Sequence, residues 1–399
     1  MLRRWQYDKW LLLITAVLAG FGALMVYSST SVVTPLFAKR NIDQFFYFKR
    51  HMFTVFVAIF FMVLACRISP ENLKRFAIPL LVFSFILLVL IFVPKIGVSA
   101  GGAKRWLRVW PSTFQPSELA RLAMVVFLAK YISSPSYRSD SSISFLIPVL
   151  IMSAFQIVFI KQPDFGAAMS MGILTFAMLV LSGVKLRYLA YMSVLFVPVI
   201  IKLVMEPYRL KRVLAFLDPW KEPQGSGFQL VQSFIALGSG GFTGIGLGES
   251  RQKLSFLPES HTDFIFSLVG EELGFVAAAI VICLFILLFI RGILIANKSK
   301  DPFVYYLASG LSMMIALQAL INFFVVTGLA PTKGLPLPFI SYGGSSLLVN
   351  MTAIGILLNL SGNEDRRDVL DRTKGLIDRK KALISVYGRE HHVEAADEK

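Results

Sequence analysis

The sequence predicts an all-α polytopic membrane protein: about ten transmembrane helices, with one large outer loop between the seventh and the eighth. Three observations carry that prediction. Hydrophobic residues make up 56% of the 399-residue chain and charged residues only 16%, and the mean hydropathy is +0.68, well beyond a soluble globular domain. The apolar residues gather into runs long enough to cross a bilayer, separated by short polar segments. A single long polar stretch, about 206–262, interrupts the series.

Residues 1–9 are basic (Arg3, Arg4, Lys9) and lead into an apolar run over roughly 10–29. That run is long, no clear A-x-A site follows it and many more runs come after, so it reads as an uncleaved first helix. Further runs lie near 51–66, 76–94, 117–132, 143–160, 165–183, 187–205, 263–290, 303–328 and 338–361. Ten helices place both chain ends on one side, expected to be cytoplasmic. Residues 1–362 are then the membrane domain, and the charged segment 363–399 is a cytoplasmic tail to which no chemistry is assigned.

The net charge of +16 does not point to nucleic acid, because the basic residues are scattered between the spans. Inner loops hold Arg67, Lys74, Arg75, Lys130, Arg138, Lys185 and Arg187, as the positive-inside rule asks. The outer loops nevertheless carry Lys39, Arg40, Lys104, Arg105, Arg108, Lys211, Arg212 and Arg251, among others. Cations on the translocated side work against that topology, so they point to an anionic group bound there.

The long loop opens with PYRLKRVLAFLDPW, where basic and apolar residues alternate as in a helix lying along an interface. GFQLVQSFIALGSGG reads as a short helix ended by Gly238. GFTGIGLGES has no strand before it and no GK[ST] after it, so it is a turn rather than a phosphate loop. Cys66 and Cys283 lie far apart inside apolar runs and read as small hydrophobes, not a disulfide or metal pair. The four histidines show no metal-ligand spacing such as HExxH.

Chemistry concentrates where polar residues meet the apolar runs. In LPESHTDFIF, Glu259, His261 and Asp263 pass directly into Phe264, Ile265 and Phe266. Partial desolvation there raises a carboxylate pKa and makes Asp263 a better proton acceptor. The plain structural alternative is an Asp that caps the following helix, with Thr262 helping. Glu118 and Arg121, in QPSELAR, are three apart at a helix end and can pair. Asp164 follows Lys161 in KQPDFG and can cap the next helix, and Arg50 opens the second helix. PLPFISYGGSS brings Ser341, Tyr342, Gly343 and Gly344 to the start of the last one. Ionisable groups inside spans cost a few kcal/mol each, and all of these are expected at the same membrane face as Asp263.

Together, GGAKRWLRV (101–109), FQPSELARL (114–122), KQPDFGAA (161–168), GFQLVQSFIALGSGG (227–241), LPESHTDFIF (257–266) and PLPFISYGGSS (336–346) resemble the SEDS family of polytopic peptidoglycan glycosyltransferases. The resemblance spans residues 10 to about 360 and is closer to the division branch of the family than to the elongation branch. It implies polymerisation of lipid II, the undecaprenyl-pyrophosphate-linked precursor, at the outer face of the cytoplasmic membrane. It puts the essential aspartate at Asp263 and further cavity residues at Glu118 and Asp164. Where the family commonly has Lys after PSELA, this chain has Arg121, which stays charged and acts by holding phosphate or by pairing with Glu118. Arg50, Lys104, Arg105, Arg121, His261 and Ser341 complete the substrate-binding candidates. The implied partners are a class B penicillin-binding protein and other division-complex membrane proteins, with no nucleic acid. Pyrophosphate chemistry invites Mg²⁺ or Mn²⁺, although no ligand spacing demands a metal. A lipid II transporter is the competing reading, since intramembrane acids also suit a translocation path, and a scaffold for division enzymes is the third.

Overall fold

The computed structural model describes residues 7–362 apart from 31–44, 101–102, 110–111, 192–193, 195–204, 206, 253–260 and 333. Glu259 and the charged segment 363–399 lie outside the described residues, as does most of the expected seventh helix, 187–205. The described helices are α1 (Lys9–Thr30), α2 (Phe46–Ala65), α3 (Pro70–Leu90), α4 (Pro116–Ile132), α5 (Ser142–Lys161), α6 (Phe165–Leu181), α7 (Pro207–Leu217), α8 (Phe228–Gly240), α9 (Ile265–Lys298), α10 (Pro302–Val326) and α11 (Gly344–Gly362). Among the described residues, α1, α2, α3, α5, α9, α10 and α11 are long and apolar enough to cross a membrane, and α6 is a shorter apolar helix. About ten transmembrane helices is consistent with that set.

Local chemistry sets several helix starts. Pro70 and Pro302 open α3 and α10, where a missing N–H costs nothing. Ser69 accepts from the Asn72 N–H (3.3 Å) and Asp301 from the Phe303 N–H (2.9 Å), satisfying otherwise orphaned donors. The last helix starts at Gly344 rather than at 338, because residues 338–343 form a turn in which Ile340 and Ser341 donate to the Leu337 carbonyl.

Burial separates an inner ring from an outer one. Residues along α4, α10 and α11 are mostly buried, whereas α2 and α3 turn Phe53, Phe56, Phe60, Phe76 and Phe83 outward, as lipid-facing helices do. Small residues bring the rings together. A Cβ at Gly22 of α1 would overlap the Phe339 and Ile340 backbone, and one at Gly355 of α11 would overlap Met62 of α2. At one end of the bundle, Asp8 donates its N–H to Ser361 Oγ (3.1 Å) and its carboxylate accepts from Arg291. The start of the first helix and the end of the last one therefore meet, as an even helix number requires.

The opposite end carries a feature the all-α expectation lacked. Strands β1 (Gly97–Ala100), β2 (Ala103–Val109) and β3 (Ser112–Phe114) form an antiparallel sheet in that order, with Leu107 paired to both Gly97 and Phe114. Ala103 and Leu107 of β2 are buried while Lys104 and Arg108 are exposed, which is too short an alternation to identify from sequence.

The long loop folds back onto α9. α7 forms as expected, but α8 runs through Gly238 to Gly240 and stops at Gly241, where φ is +54°. A Cβ at Gly238 would meet open space, so that glycine has no reason to end the helix. Gly274 then breaks α9 with φ +75° and ψ −174°. The loop occupies the break. The Ile245 and Gly246 N–H groups donate to the Glu271 and Glu272 carbonyls (3.0 Å each), and the Phe275 and Val276 N–H groups donate to Gly241 and Phe242. Backbone groups freed by the break thus find partners in the loop.

The side chains on the same turn reinforce this. Glu271, 1% exposed, accepts from Ser250 Oγ and from the Arg251 N–H (3.1 Å). Glu272, fully buried, accepts from Ser28 Oγ of α1 at 2.6–2.8 Å. Ser233 of α8 meets Ser267 of α9 at 2.7 Å and donates to the Val326 carbonyl of α10. Any side chain at Gly274 collides with the Phe242 and Gly244 backbone, as well as straining a positive φ. Gly274→Ala is therefore expected to destabilise the protein by about 2 kcal/mol or more, read as a lowered thermal midpoint in detergent, whereas Gly238→Ala should leave it unchanged.

Candidate active site

Residues 261–264 form a tight turn ahead of α9. Phe264 takes the N-cap position of that helix, with Asp263 one residue before it. Asp263 is half-buried, and its backbone is held from α10. Asn322, 1% exposed, donates one amide N–H to the Asp263 carbonyl and the other to the Leu335 carbonyl, both at 2.8 Å. The turn is also held from the segment just ahead of α11. Ser341 Oγ donates to the Thr262 carbonyl, and the Tyr342 N–H donates to the His261 carbonyl at 2.9 Å. Ser341 Oγ also accepts from the Leu337 N–H at 2.8 Å. Gly334 sits against the carboxylate itself: a Cβ there would lie 2.7 Å from Asp263 Oδ2.

A second group of polar side chains lies at the same end of the bundle. Asp164 caps α6, its Oδ1 accepting from the Ala167 N–H at 3.2 Å, as its position in QPD allows. Its Oδ2 accepts from Gln115 Nε2 at 3.3 Å, and Arg105 Nε stands 3.9 Å from its Oδ1. Arg105 also donates to the Pro163 carbonyl, which fastens β2 to the turn between α5 and α6. The Gln115 N–H donates to Ser345 Oγ of α11 at 2.8 Å, linking this group to the 341–346 segment. One turn into α4, Arg121 donates to Glu118, and both are about nine-tenths buried or more. Arg121 is thus engaged with Glu118 in a buried pair. Such a pair is costly to desolvate and very costly to break from one side.

Of the remaining candidates, Arg50 lies near Tyr342. The Tyr342 phenol is pushed up by burial, with the Arg50 charge pulling the other way. Arg50 is half-buried near the start of α2, close enough to act on that phenol, and Lys104 is exposed on β2 next to Arg105. The structure therefore gathers Asp263, His261 and Ser341 in one cluster and Asp164, Arg105, Gln115 and Ser345 in a neighbouring one.

Gln115, Asn322 and Gly334 were not among the sequence candidates, nor were Glu271 and Glu272, and Tyr342 was marked only as part of PLPFISYGGSS. A signal for Asn322 was present: an amide inside the apolar run ALINFFVV is expensive unless paired. Gly334 had none, because its role depends on a carboxylate about seventy residues earlier in the chain. Among the described residues, no group of three or more His, Cys, Asp or Glu side chains could hold a metal ion.

The chain was compared with known proteins. Residues 9–366 match the family model FtsW/RodA/SpoVE, described as cell cycle protein. A probable peptidoglycan glycosyltransferase FtsW of Geobacter sp. (strain M18) is 43% identical over 357 residues, 89% of this chain and 96% of that relative. Stage V sporulation protein E of Bacillus subtilis (strain 168) is 39% identical over the same shares. Among solved structures, a chain from a peptidoglycan synthase complex coordinating polymerization and crosslinking superposes with a TM-score of 0.73 at 29% identity, covering 90% of this chain and 98% of that one. The rod shape determining protein RodA of Thermus thermophilus gives a TM-score of 0.64 at 25% identity over the same shares. With nearly its whole described length matched by one family model and by relatives well above 30% identity, this multi-pass membrane protein belongs to the FtsW/RodA/SpoVE family of cell cycle proteins.

Proposed function

We propose that the protein is a peptidoglycan glycosyltransferase that polymerises lipid II into glycan strands, with Asp263 as its general base. One observation carries the assignment of the base. Asp263 is the half-buried carboxylate whose backbone is clamped by Asn322, at the bundle end where Arg105 and Asp164 also gather. A backbone held in this way fixes the position from which the carboxylate reaches the substrate, which lowers the entropic part of the barrier.

In the proposed reaction, the O4 hydroxyl of the acceptor sugar attacks the anomeric carbon of a donor. The O4–C1 bond forms, the C1–O bond to the lipid pyrophosphate breaks, and the O4 proton passes to Asp263. Attack from the face opposite the leaving group inverts the anomeric centre, so no second carboxylate nucleophile is needed. The departing pyrophosphate carries the electron pair, and cations stabilise it. Arg50, Lys104 and Arg105 are the residues proposed for that task. Arg121 is proposed to act through its pair with Glu118, which stiffens α4 beside Gln115.

The reaction is assigned to the outer face of the cytoplasmic membrane, with both termini in the cytoplasm and the polyprenyl chains left in the bilayer. Similarity to FtsW proteins favours a role at the division septum. A class B penicillin-binding protein is the proposed partner, supported by the resemblance to a synthase complex that couples polymerization to crosslinking. Any Mg²⁺ or Mn²⁺ is proposed to arrive on the substrate's pyrophosphate oxygens, with one or two protein carboxylates at most.

Purified protein in detergent, supplied with labelled lipid II and a cognate transpeptidase, should make polymer, and Asp263→Asn should make none while melting at the wild-type temperature. Polymer from that variant would remove Asp263 from the mechanism. Gly334→Ala should push the carboxylate aside and lower kcat by about 10- to 100-fold with KM little changed. Asn322→Leu, which leaves two buried carbonyls without donors, should lower kcat by a similar factor and cost about 1–3 kcal/mol of stability per orphaned group. Chelation with EDTA should slow polymerisation, and Mg²⁺ or Mn²⁺ should restore it; an unchanged rate would mean that the protein's own cations suffice.

A further inference from the structure

Three aromatic residues converge beside the Asp263 turn. The His261 and Tyr342 rings have centroids 5.8 Å apart, and the Tyr47 ring of α2 lies 5.5 Å from the first and 5.6 Å from the second. All three residues are half-buried, so each keeps part of its surface open, unlike His51 behind them, which is 1% exposed and 6.0 Å from the Tyr342 ring. The group is rigidly joined to the reaction centre. The Tyr342 N–H is bonded to the His261 carbonyl, Ser341 to the Thr262 carbonyl, and Asp263 is two residues from His261. Other aromatic residues of α2, including Phe53, Phe56 and Phe60, are exposed on the outward face. Tyr47 instead points to the site.

We propose that Tyr47, His261 and Tyr342 form a carbohydrate platform on which the acceptor's amino-sugar pyranose ring packs, with its O4 directed at Asp263. This rests on the glycosyltransferase reading above and adds a subsite to it. A β-linked pyranose offers a face of C–H bonds with partial positive charge, and an aromatic face is electron-rich, so the two attract while both leave water. The Tyr47 and Tyr342 hydroxyls can hydrogen-bond sugar hydroxyls at the platform edge. A platform made from two helix starts and the Asp263 turn fixes ring orientation without binding the lipid, which leaves the tail free in the bilayer.

The test uses the full-length protein in detergent and a β-1,4-linked N-acetylglucosamine hexamer as the probe. Saturation-transfer NMR should show contact to the C–H protons of the sugar in wild type and in Asp263→Asn alike. Tyr342→Leu and Tyr47→Leu should lose that transfer and raise KM for lipid II about tenfold, with kcat changed less than twofold. Tyr342→Phe and Tyr47→Phe should restore both within about twofold, since the ring rather than the hydroxyl supplies the contact. No transfer in wild type would overturn the platform without needing any variant. So would wild-type KM in the Leu variants, or Phe variants as impaired as the Leu ones. Polymer from Asp263→Asn would instead overturn the catalytic reading, and the hexamer measurement would still decide the platform.

Discussion

A backbone amide or carbonyl without a partner costs several kcal/mol in an apolar medium, and the break in α9 at Gly274 is where this chain meets that cost. The loop of residues 241–246 supplies donors to Glu271 and Glu272 and acceptors to Phe275 and Val276, so the helix is interrupted without leaving its groups bare. The short segment Ile265–Leu273 can therefore take a direction of its own. That segment begins next to Asp263, and the Glu271 and Glu272 carboxylates anchor its far end to Ser250 and to Ser28 of α1. The long loop is thus part of the support of the turn that carries Asp263 rather than a cover over it.

From that support the site is assembled by polar atoms reaching across helices. Asn322 of α10 holds the Asp263 carbonyl, and Ser341 and Tyr342, just ahead of α11, hold the two residues before it. Ser345 then passes the connection to Gln115, Asp164 and Arg105. Each bond is modest by itself, about 0.5–1.5 kcal/mol net. Their value is positional: a carboxylate fixed through several elements loses little entropy when substrate arrives.

The buried Glu118–Arg121 pair has a different energetic character. Two charges nearly removed from water gain little net stability from their attraction, because desolvation offsets most of it. Such a pair survives where it constrains geometry, and here it lies one turn from Gln115, at the start of the most enclosed region of the bundle. A Lys at position 121 would carry the same charge on a softer, deprotonatable group. Arg121 offers no such proton, which fits a role for this pair in holding geometry.

Composition and hydrophobic run length determined by themselves that this is a multi-helix membrane protein, because backbone satisfaction in a bilayer permits few other solutions. The motifs around Asp263, Glu118, Asp164 and Ser341 pointed to one end of the bundle, and the structure gathers these residues there; polar residues beside apolar runs are costly without a purpose. Local rules also marked GFTGIGLGES as a turn, where Gly244, Gly246 and Gly248 take positive φ. Tertiary structure alone decided the rest. The β1–β2–β3 sheet depends on pairing between short segments that carry too little periodic signal. Gly274 looked like one more residue in GEELGF, and its break is stable only because a loop from thirty residues earlier fills it. Asn322 and Gly334 bear on Asp263 through contacts made across about sixty to seventy positions of sequence. Local propensity has no term for such distances; close packing of helices does.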